Sequence, residues 1–427
     1  MLCKVRLLLC FFILLSTGTF LYGQETPRPV VPVTLKQADS IFLAKNLLLL
    51  AARYNVEASR AQVIQARLFN NITFSLSQNV YNPESKEWFD LTETGETAMS
   101  FEKLFLLAGK RNKRINFADL SWHREEQHYF DLIRTLKYTL RSDFNNIYYL
   151  KRILAVYDRE INSLAAMVAV FQQQSQNGLV SARESLRLRS SLFSLESEKS
   201  GYVTQLIADL ADFNLLMHTA GIDYEPLPDT LAAKGIQLES VRVGSLMDTA
   251  ARYRSDLLMA GSDLELSQVN LKMQKAQAVP DLTLSAGWDR NGSFVHNYNF
   301  IGMQIDLPFF NRNQGNIRSA ELGVENSRVM LQSAGEKVRS DVMQAYATAL
   351  EADRLYRRYD EKFVGALEAM NNEMKKNYEN RNISTVEFLD FYDAYKNNFI
   401  QLNNLQNARA NAIENLSFCI GRDFVGK

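Results

Sequence analysis

Cysteine, histidine and proline are all scarce in this chain. Three cysteines occur in 427 residues. Cys3 and Cys10 stand in a stretch that reads as a secretory signal, so only Cys419 would remain after export. A lone cysteine excludes an intramolecular disulfide framework. The four histidines (His123, His128, His218, His296) are scattered and match no metal-ligand spacing such as His-x-x-x-His. Surface or helix-packing roles are their ordinary reading. An excess of either charge is also missing: Lys+Arg and Asp+Glu both number 48, which gives no hint of a nucleic-acid or acidic partner. Long apolar runs are absent too. Leu7 to Leu15 is too short to span a bilayer as a helix, and no other run reaches membrane length. A span, if there is one, must be made of strands.

What is present begins with an export signal over residues 1–23. Lys4 and Arg6 form its basic start, Leu7 to Leu15 its apolar run, and Leu21-Tyr22-Gly23 the cleavage edge. No cysteine stands just after it to carry a lipid.

The mature chain divides into a first repeat over 24–220, an irregular connector over 221–243 (Gly221, Pro226-Leu227-Pro228) and a second repeat over 244–427. After a Pro-containing lead (Pro27, Pro29, Pro32), Thr34 to about Asn70 reads as one helix. Lys110 to Asn177 holds neither Gly nor Pro, which permits a helix of about 65 residues, roughly 100 Å long. Asn177-Gly178 stops it, and Val180 to about Ala220 is helical again, interrupted only by Gly201. In the second half, helices are expected from about Ser245 to Ala278, from Gln314 to Tyr378 and from Ser384 to Ile420, with a break at Asn380-Arg381-Asn382. No proline follows Pro308.

Between the first two helices of each half the period changes from helical to two. Strands are expected at about 71–80 and 97–106, where Ile72, Phe74 and Leu76 alternate with Thr73, Ser75 and Ser77. Lys103 spoils the apolar face of the second strand. Clearer strands are expected at about 281–289 and 298–307, joined by a loop containing Asn291-Gly292. There Leu282, Leu284, Ala286 and Trp288 oppose Asp281, Thr283, Ser285 and Asp289, while Ile301, Met303, Ile305 and Leu307 oppose Phe300, Gly302, Gln304 and Asp306. Apolar outside and polar inside is the barrel pattern, although a half-buried soluble sheet alternates in the same way.

The halves are related. A shift of 208 pairs Leu49, Leu50, Ala52, Glu57 and Ser59 with Leu257, Leu258, Ala260, Glu265 and Ser267. Beyond the hairpin the shift is 202 (Ile115 with Ile317), and at the far helix break it is 203 (Ser181, Glu184 and Leu186 with Ser384, Glu387 and Leu389). Stripes such as Phe388, Tyr392, Tyr395, Phe399 and Leu402 pack in coiled-coil fashion, and an ordinary coiled-coil bundle fits them equally well. Four strands, however, cannot close a membrane barrel, and open edges are not tolerated in lipid. If these strands span a membrane, several chains must share one barrel.

The duplicated helix–hairpin–helix plan, the run PDLTLSAGW (Pro280 to Trp288), LPFFNRNQGNIRSAE (Leu307 to Glu321), its counterpart FEKLFLLAGKRNKRI (Phe101 to Ile115) and RSDLLMA (Arg254 to Ala260) together resemble the TolC-type outer-membrane efflux family. The resemblance covers essentially all of the mature chain. It implies a mainly α fold with a small β part. Long antiparallel coiled-coil helices form a trimeric α-barrel, and four strands per chain enter a shared twelve-stranded transmembrane β-barrel. It further implies a homotrimer in contact with outer-membrane lipid, a periplasmic adaptor docked at the helix tips and an inner-membrane pump of RND or ABC type. No enzyme chemistry, cofactor, metal site or nucleic acid is implied. The function expected is a passive exit duct of an efflux or type I secretion system, with metal ions, drugs, bile salts and polypeptides all open as cargo. An exported coiled-coil spacer or adhesin without a channel is the alternative.

By the same resemblance the tunnel narrows at its periplasmic tip. The motif STVEFLDFYDA places Glu387 and Asp390 at the acidic positions, with Glu where the family more often has Asp. A spacing of three puts both carboxylates on one helix face, and a solvated face is the ordinary reading of such a pair. Gly178, Ser181, Glu184, Asn382 and Ser384 fall at the tips where an adaptor would dock.

Overall fold

The structure is a computed structural model that describes residues 29–218, 221–227, 238–292, 295–358 and 361–424. The expected signal at 1–23 and residues 228–237 of the connector lie outside the described residues. Nine helices are described: α1 (Leu35–Lys45), α2 (Leu47–Arg67), α3 (Lys110–Gln176), α4 (Ala182–Met217), α5 (Val243–Tyr253), α6 (Ser255–Gln277), α7 (Gln314–Arg358), α8 (Glu361–Glu379) and α9 (Thr385–Ile420). The strands are β1 (Val30–Val33), β2 (Thr73–Gln78), β3 (Tyr81–Asn82), β4 (Glu87–Trp88), β5 (Thr97–Phe105), β6 (Asp223–Pro226), β7 (Leu282–Gly292) and β8 (Val295–Ile305). Among the described residues no helix is long and apolar enough to cross a membrane.

Two expected helices are each broken in two. The first breaks at Asn46, where φ −63° and ψ 124° are extended. The side chain of Asn46 accepts from Leu49 N at 3.1 Å and donates to Leu216 O at 2.8 Å, so it caps α2 and ties it to the end of α4. The second breaks at Arg254, also extended at φ −75° and ψ 112°. Its guanidinium is 2% exposed and holds Asp256 at 2.5 Å and Asp341 at 2.9 Å. A shift of 208 carries Asn46 onto Arg254 and α1 onto α5, Leu35–Lys45 becoming Val243–Tyr253. A shift of 203 carries α4 onto α9. Neither break contains Gly or Pro. Each is set instead by a polar side chain that finds partners only in the folded chain.

The helix expected over Gln314 to Tyr378 is described as α7 and α8, residues 359 and 360 lying outside the described residues, and the remaining helices run close to expectation. α3 is unbroken over 67 residues, about 100 Å at 1.5 Å per residue, and Gly201 is accommodated within α4. The connector holds an unexpected element: β6 pairs in parallel with β1, Val30 opposite Asp223, which fastens the start of the described chain to its middle.

The core forms three clusters along the rod. One gathers Phe42, Leu140, Ile147, Phe213 and Met217 in the first half. The second gathers Ala250, Val342, Ala349, Leu416 and Ile420, which the same shifts make their counterparts with smaller side chains. The third, nearer the helix turns, joins the halves through Tyr157, Leu164, Leu188, Phe388 and Tyr392.

Sheet and helices share one order. The large sheet runs β2-β5-β7-β8, all antiparallel. Below it α2 packs on α3, α3 on α6 and α6 on α7. Each strand continues into the helix beneath it, so the sheet and the helix layer form one wall. Among the described residues β2 and β8 are the two unpaired edges of the sheet; α2 continues one edge below it, and α7 continues the other and packs lower down on α9 and α5.

One charge in this wall is uncomfortable. Asp143 on α3 faces Asp209 and Asp212 of α4, and its Oδ2 is buried without a hydrogen bond. Burial, reinforced by those two carboxylates, pushes its carboxyl up to about 7. The folded chain therefore keeps this proton where the unfolded chain has lost it, and stability falls as pH rises from about 4 to about 7. Asp143→Asn should remove part of that slope and raise the melting temperature above pH 7 by a few degrees, as read by circular dichroism across pH.

Candidate functional site

The sheet separates side chains by chemistry. On one face the register aligns Phe74, Phe101, Ala286 and Ile301 across four strands, and Leu76, Met99 and Trp288 one step above. Below lie Leu284 and Met303, with Lys103 opposite Leu284. Ile301 is 90% exposed and Met303 69%, a degree of apolar exposure that water disfavours. The other face aligns Thr73, Glu102, Ser285 and Gly302, then Ser75, Ser100, Gly287 and Phe300. Phe300 lies flat over Gly287, where a Cβ would stand 2.6 Å from its ring. The polar face therefore stays free of projecting bulk at that level.

Lys103, the residue that interrupted the sequence pattern, is accommodated: its ammonium bends to the carbonyl of Asn70 below the sheet. Asn291 and Gly292 are not loop residues. They pair with His296 and Val295 as the last rungs of β7 and β8, and the turn itself, 293 and 294, lies outside the described residues.

The loop between β2 and β5 is ordered by Asp90. Its carboxylate accepts from Thr92 N at 2.9 Å, Thr94 Oγ1 at 2.8 Å, Asn82 Nδ2 at 2.9 Å and Ser85 Oγ at 2.9 Å. These bonds, those from Thr92 foremost, hold it well below the usual carboxylate range. Arg290 and Asn291 reach the same loop, donating to Thr92 O at 2.9 Å and Glu93 O at 3.0 Å, so both hairpins are latched at their tips.

At the opposite end, two helix turns meet. The α3–α4 turn passes through Gly178 at φ 72°, and the α8–α9 turn through Arg381 at φ 59°. A shift of 203 equates them. Gly is at ease in this left-handed region and Arg is not, at a cost of roughly 1–2 kcal/mol. Arg381 also donates to Gln174 Oε1 of the other turn at 3.0 Å. Ser181 caps α4 by accepting from Glu184 N at 3.3 Å, and Ser384 caps α9 from Glu387 N at 3.2 Å.

These findings narrow the identity. Residues 246–422 match the family described as outer membrane efflux protein. The cobalt-zinc-cadmium resistance protein CzcC of Cupriavidus metallidurans is 24% identical over 71% of this chain and 70% of its own. The nickel-cobalt-cadmium resistance protein NccC of Alcaligenes xylosoxydans is 23% identical over 79% of this chain and 74% of its own. The crystal structure of the Campylobacter jejuni CmeC outer membrane channel matches with a TM-score of 0.74 at 15% identity, over 91% of this chain and 85% of that one. Residues 246–422 of the chain thus carry an outer membrane efflux protein domain.

Within this chain the seven expected site residues all lie at one end of the rod, on or beside the two turns. Glu387 is partly occupied: its carboxylate accepts from Ser384 N and Oγ, both at 2.8 Å, which closes a capping box and holds the group below its ordinary range. Asp390 is exposed one turn on. Both carboxylates point away from the buried face that Phe388, Leu389 and Tyr392 turn to the core. Gly178 and Asn382 shape the turns, with Asn382 N bonded to Asn377 O at 2.8 Å.

Sequence reading missed a second polar group above the tip. Lys396, 5% exposed, bonds Glu198 at 2.8 Å, and Tyr157 donates to the same carboxylate at 2.9 Å. Burial works against the charge, but these bonds win and hold Glu198 below its usual range. The signal was available: Lys396 interrupts the aromatic stripe of α9.

No atom lies within 4 Å of where a Cβ on Gly178 would stand, so a substitution there meets only backbone strain. Gly178→Ala should cost about 1 kcal/mol locally, seen as roughly fivefold faster amide exchange over residues 174–181 with the rest of the chain unchanged.

Proposed function

We infer that this chain is the outer-membrane exit duct of a tripartite efflux system. Three copies close a twelve-stranded barrel, and their helices continue it as a tunnel into the periplasm. The observation that carries this reading is the four-stranded sheet with an apolar outer face and two open edges. In hydrocarbon, every backbone N–H and C=O needs a protein partner. One chain leaves the outer edges of β2 and β8 without one, whereas a ring of copies pairs β8 of each with β2 of the next. The spacer alternative has no use for an apolar sheet face of this kind, whose Ile301 is 90% exposed.

The repeats at 24–220 and 244–427 each supply one hairpin and one helical hairpin, with 221–243 as part of a belt midway along. Gly178, Ser181, Glu184, Asn382 and Ser384 form the surface for a periplasmic adaptor, and the adaptor links the duct to an inner-membrane pump of RND or ABC type. The duct itself does no chemistry.

Cobalt and cadmium figure in the names of both curated relatives, which supports divalent metal cations as the cargo class. The polar sheet face agrees: it bears Glu102 and Asp289, and neither Lys nor Arg stands on it between Thr73 and Gln304. A strain lacking the protein should become sensitive to cobalt and cadmium salts and regain tolerance on complementation. Unchanged tolerance with new sensitivity to organic toxicants would reassign the cargo.

Glu387 and Asp390 form two acidic rings at the tunnel tip in this reading, biasing the gate toward cations. In planar bilayers the purified protein should give cation-preferring channels. Glu387→Ala/Asp390→Ala should raise the conductance and weaken that preference; unchanged currents would remove the gate assignment.

A further inference from the structure

Two apolar clusters stand just below the sheet, one at each open edge. Under β8, Leu307 is 65% exposed, Phe309 68% and Phe310 96%. Under β2, Leu68 is 54% exposed, Phe69 72% and Ile72 61%. Each cluster lies within a few residues of its strand end, at the height where strand gives way to helix. Among the described residues both clusters stand largely exposed. Arg111 lies over one face of the Phe69 ring, 4.0 Å from its centroid, and leaves the ring otherwise open.

We propose that Leu307, Phe309 and Phe310 of one copy pack on Leu68, Phe69 and Ile72 of the next, forming an aromatic collar that locks the trimer where barrel meets tunnel. This rests on the duct reading above and adds to it the surface that holds the copies together. The sheet order argues for a second copy as the occupant. β2 and β8 are the two ends of an antiparallel sheet, so any ring must join β8 to β2. The segment leaving β8 then runs beside the segment entering β2, and the two clusters meet. Lipid would cover all four strand ends alike, whereas at the inner ones Phe105, Leu107 and Val279 are exposed by only 44%, 38% and 40%, and the exposure peaks at the two unpaired edges. Neighbouring surfaces reinforce the fit. Leu322, Val329 and Met330 are exposed on α7, and Tyr54 and Ile64 on α2, along the same two edges.

The strand geometry supplies a clean test. Phe69 and Phe310 of one chain are separated by the full width of four strands, about 14 Å at the usual spacing. A disulfide needs Cα atoms within about 7 Å. A bond between cysteines at the two positions can therefore form only between copies. Phe69→Cys/Phe310→Cys and Phe69→Cys/Phe309→Cys should each be expressed in full-length protein, oxidised in membranes and run without reductant. The single-cysteine variants, which share buried Cys419, serve as controls. A covalent trimer from at least one pair, absent from the controls, is the expected result. Trimers by sedimentation in detergent without any covalent link would overturn the collar while leaving the duct standing. A monomer by sedimentation would instead overturn the duct reading on which the collar rests. Phe310→Ser should in addition lower the temperature at which the trimer dissociates in SDS; no change there also counts against the collar.

Discussion

Backbone hydrogen bonding at a sheet edge governs this molecule. β2 and β8 each leave a row of N–H and C=O groups unmatched, and the side chains around them are apolar on one face and polar on the other. A soluble sheet protects such edges with charge, proline or a covering segment. Here the apolar face continues to both edges without any of these devices. The helices next to the sheet share part of this incompleteness: α2 and the first half of α7 extend the edge strands downward with exposed apolar side chains such as Tyr54, Ile64, Leu322 and Val329, and only further down does α7 bury a face against α9.

Duplication explains how one chain builds two hairpins of unequal clarity. The matching elements fall at constant shifts, yet the residues that perform each task differ. Asn46 breaks one helix by capping, and Arg254 breaks its counterpart by gathering two aspartates. Gly178 turns one tip without strain, and Arg381 turns the other at a cost while holding Gln174. The first core fills its space with phenylalanines and the second with alanine, valine and leucine. Topology has been kept while each copy has settled its own packing.

Much of this was legible beforehand. Helix lengths followed from the distribution of Gly and Pro, and strand faces from alternation, because both depend on local chemistry. The breaks at Asn46 and Arg254 were not legible, since a mid-helix Asn or Arg is unremarkable until Leu216 or Asp341 arrives from elsewhere in the chain. The β1–β6 pairing was hidden for the same reason, as four residues carry no period to detect. Asn291-Gly292 read as a turn because that dipeptide usually is one; pairing with Val295 and His296 moved the turn two residues on. Of the tip residues, Ser181 and Ser384 were placed beside the helix breaks, whereas their capping of α4 and α9 and the involvement of Glu387 in a capping box required the geometry of the folded turns.

Lys103 and Arg290 are the cations of the outer sheet face, and each turns toward an end of the strands. Lys103 lies opposite Leu284, and Arg290 stands six residues further along the same strand, about 20 Å away. Each bends away from the other, Lys103 to Asn70 and Arg290 to the loop carbonyls. Their spread approximates the ~25 Å apolar band of an outer-membrane barrel once strand tilt and side-chain reach are combined. In the barrel proposed above, moving the chain up or down would drag Lys103 or Arg290 into hydrocarbon. In the proposed barrel the two cations therefore set the height at which the wall sits in the membrane.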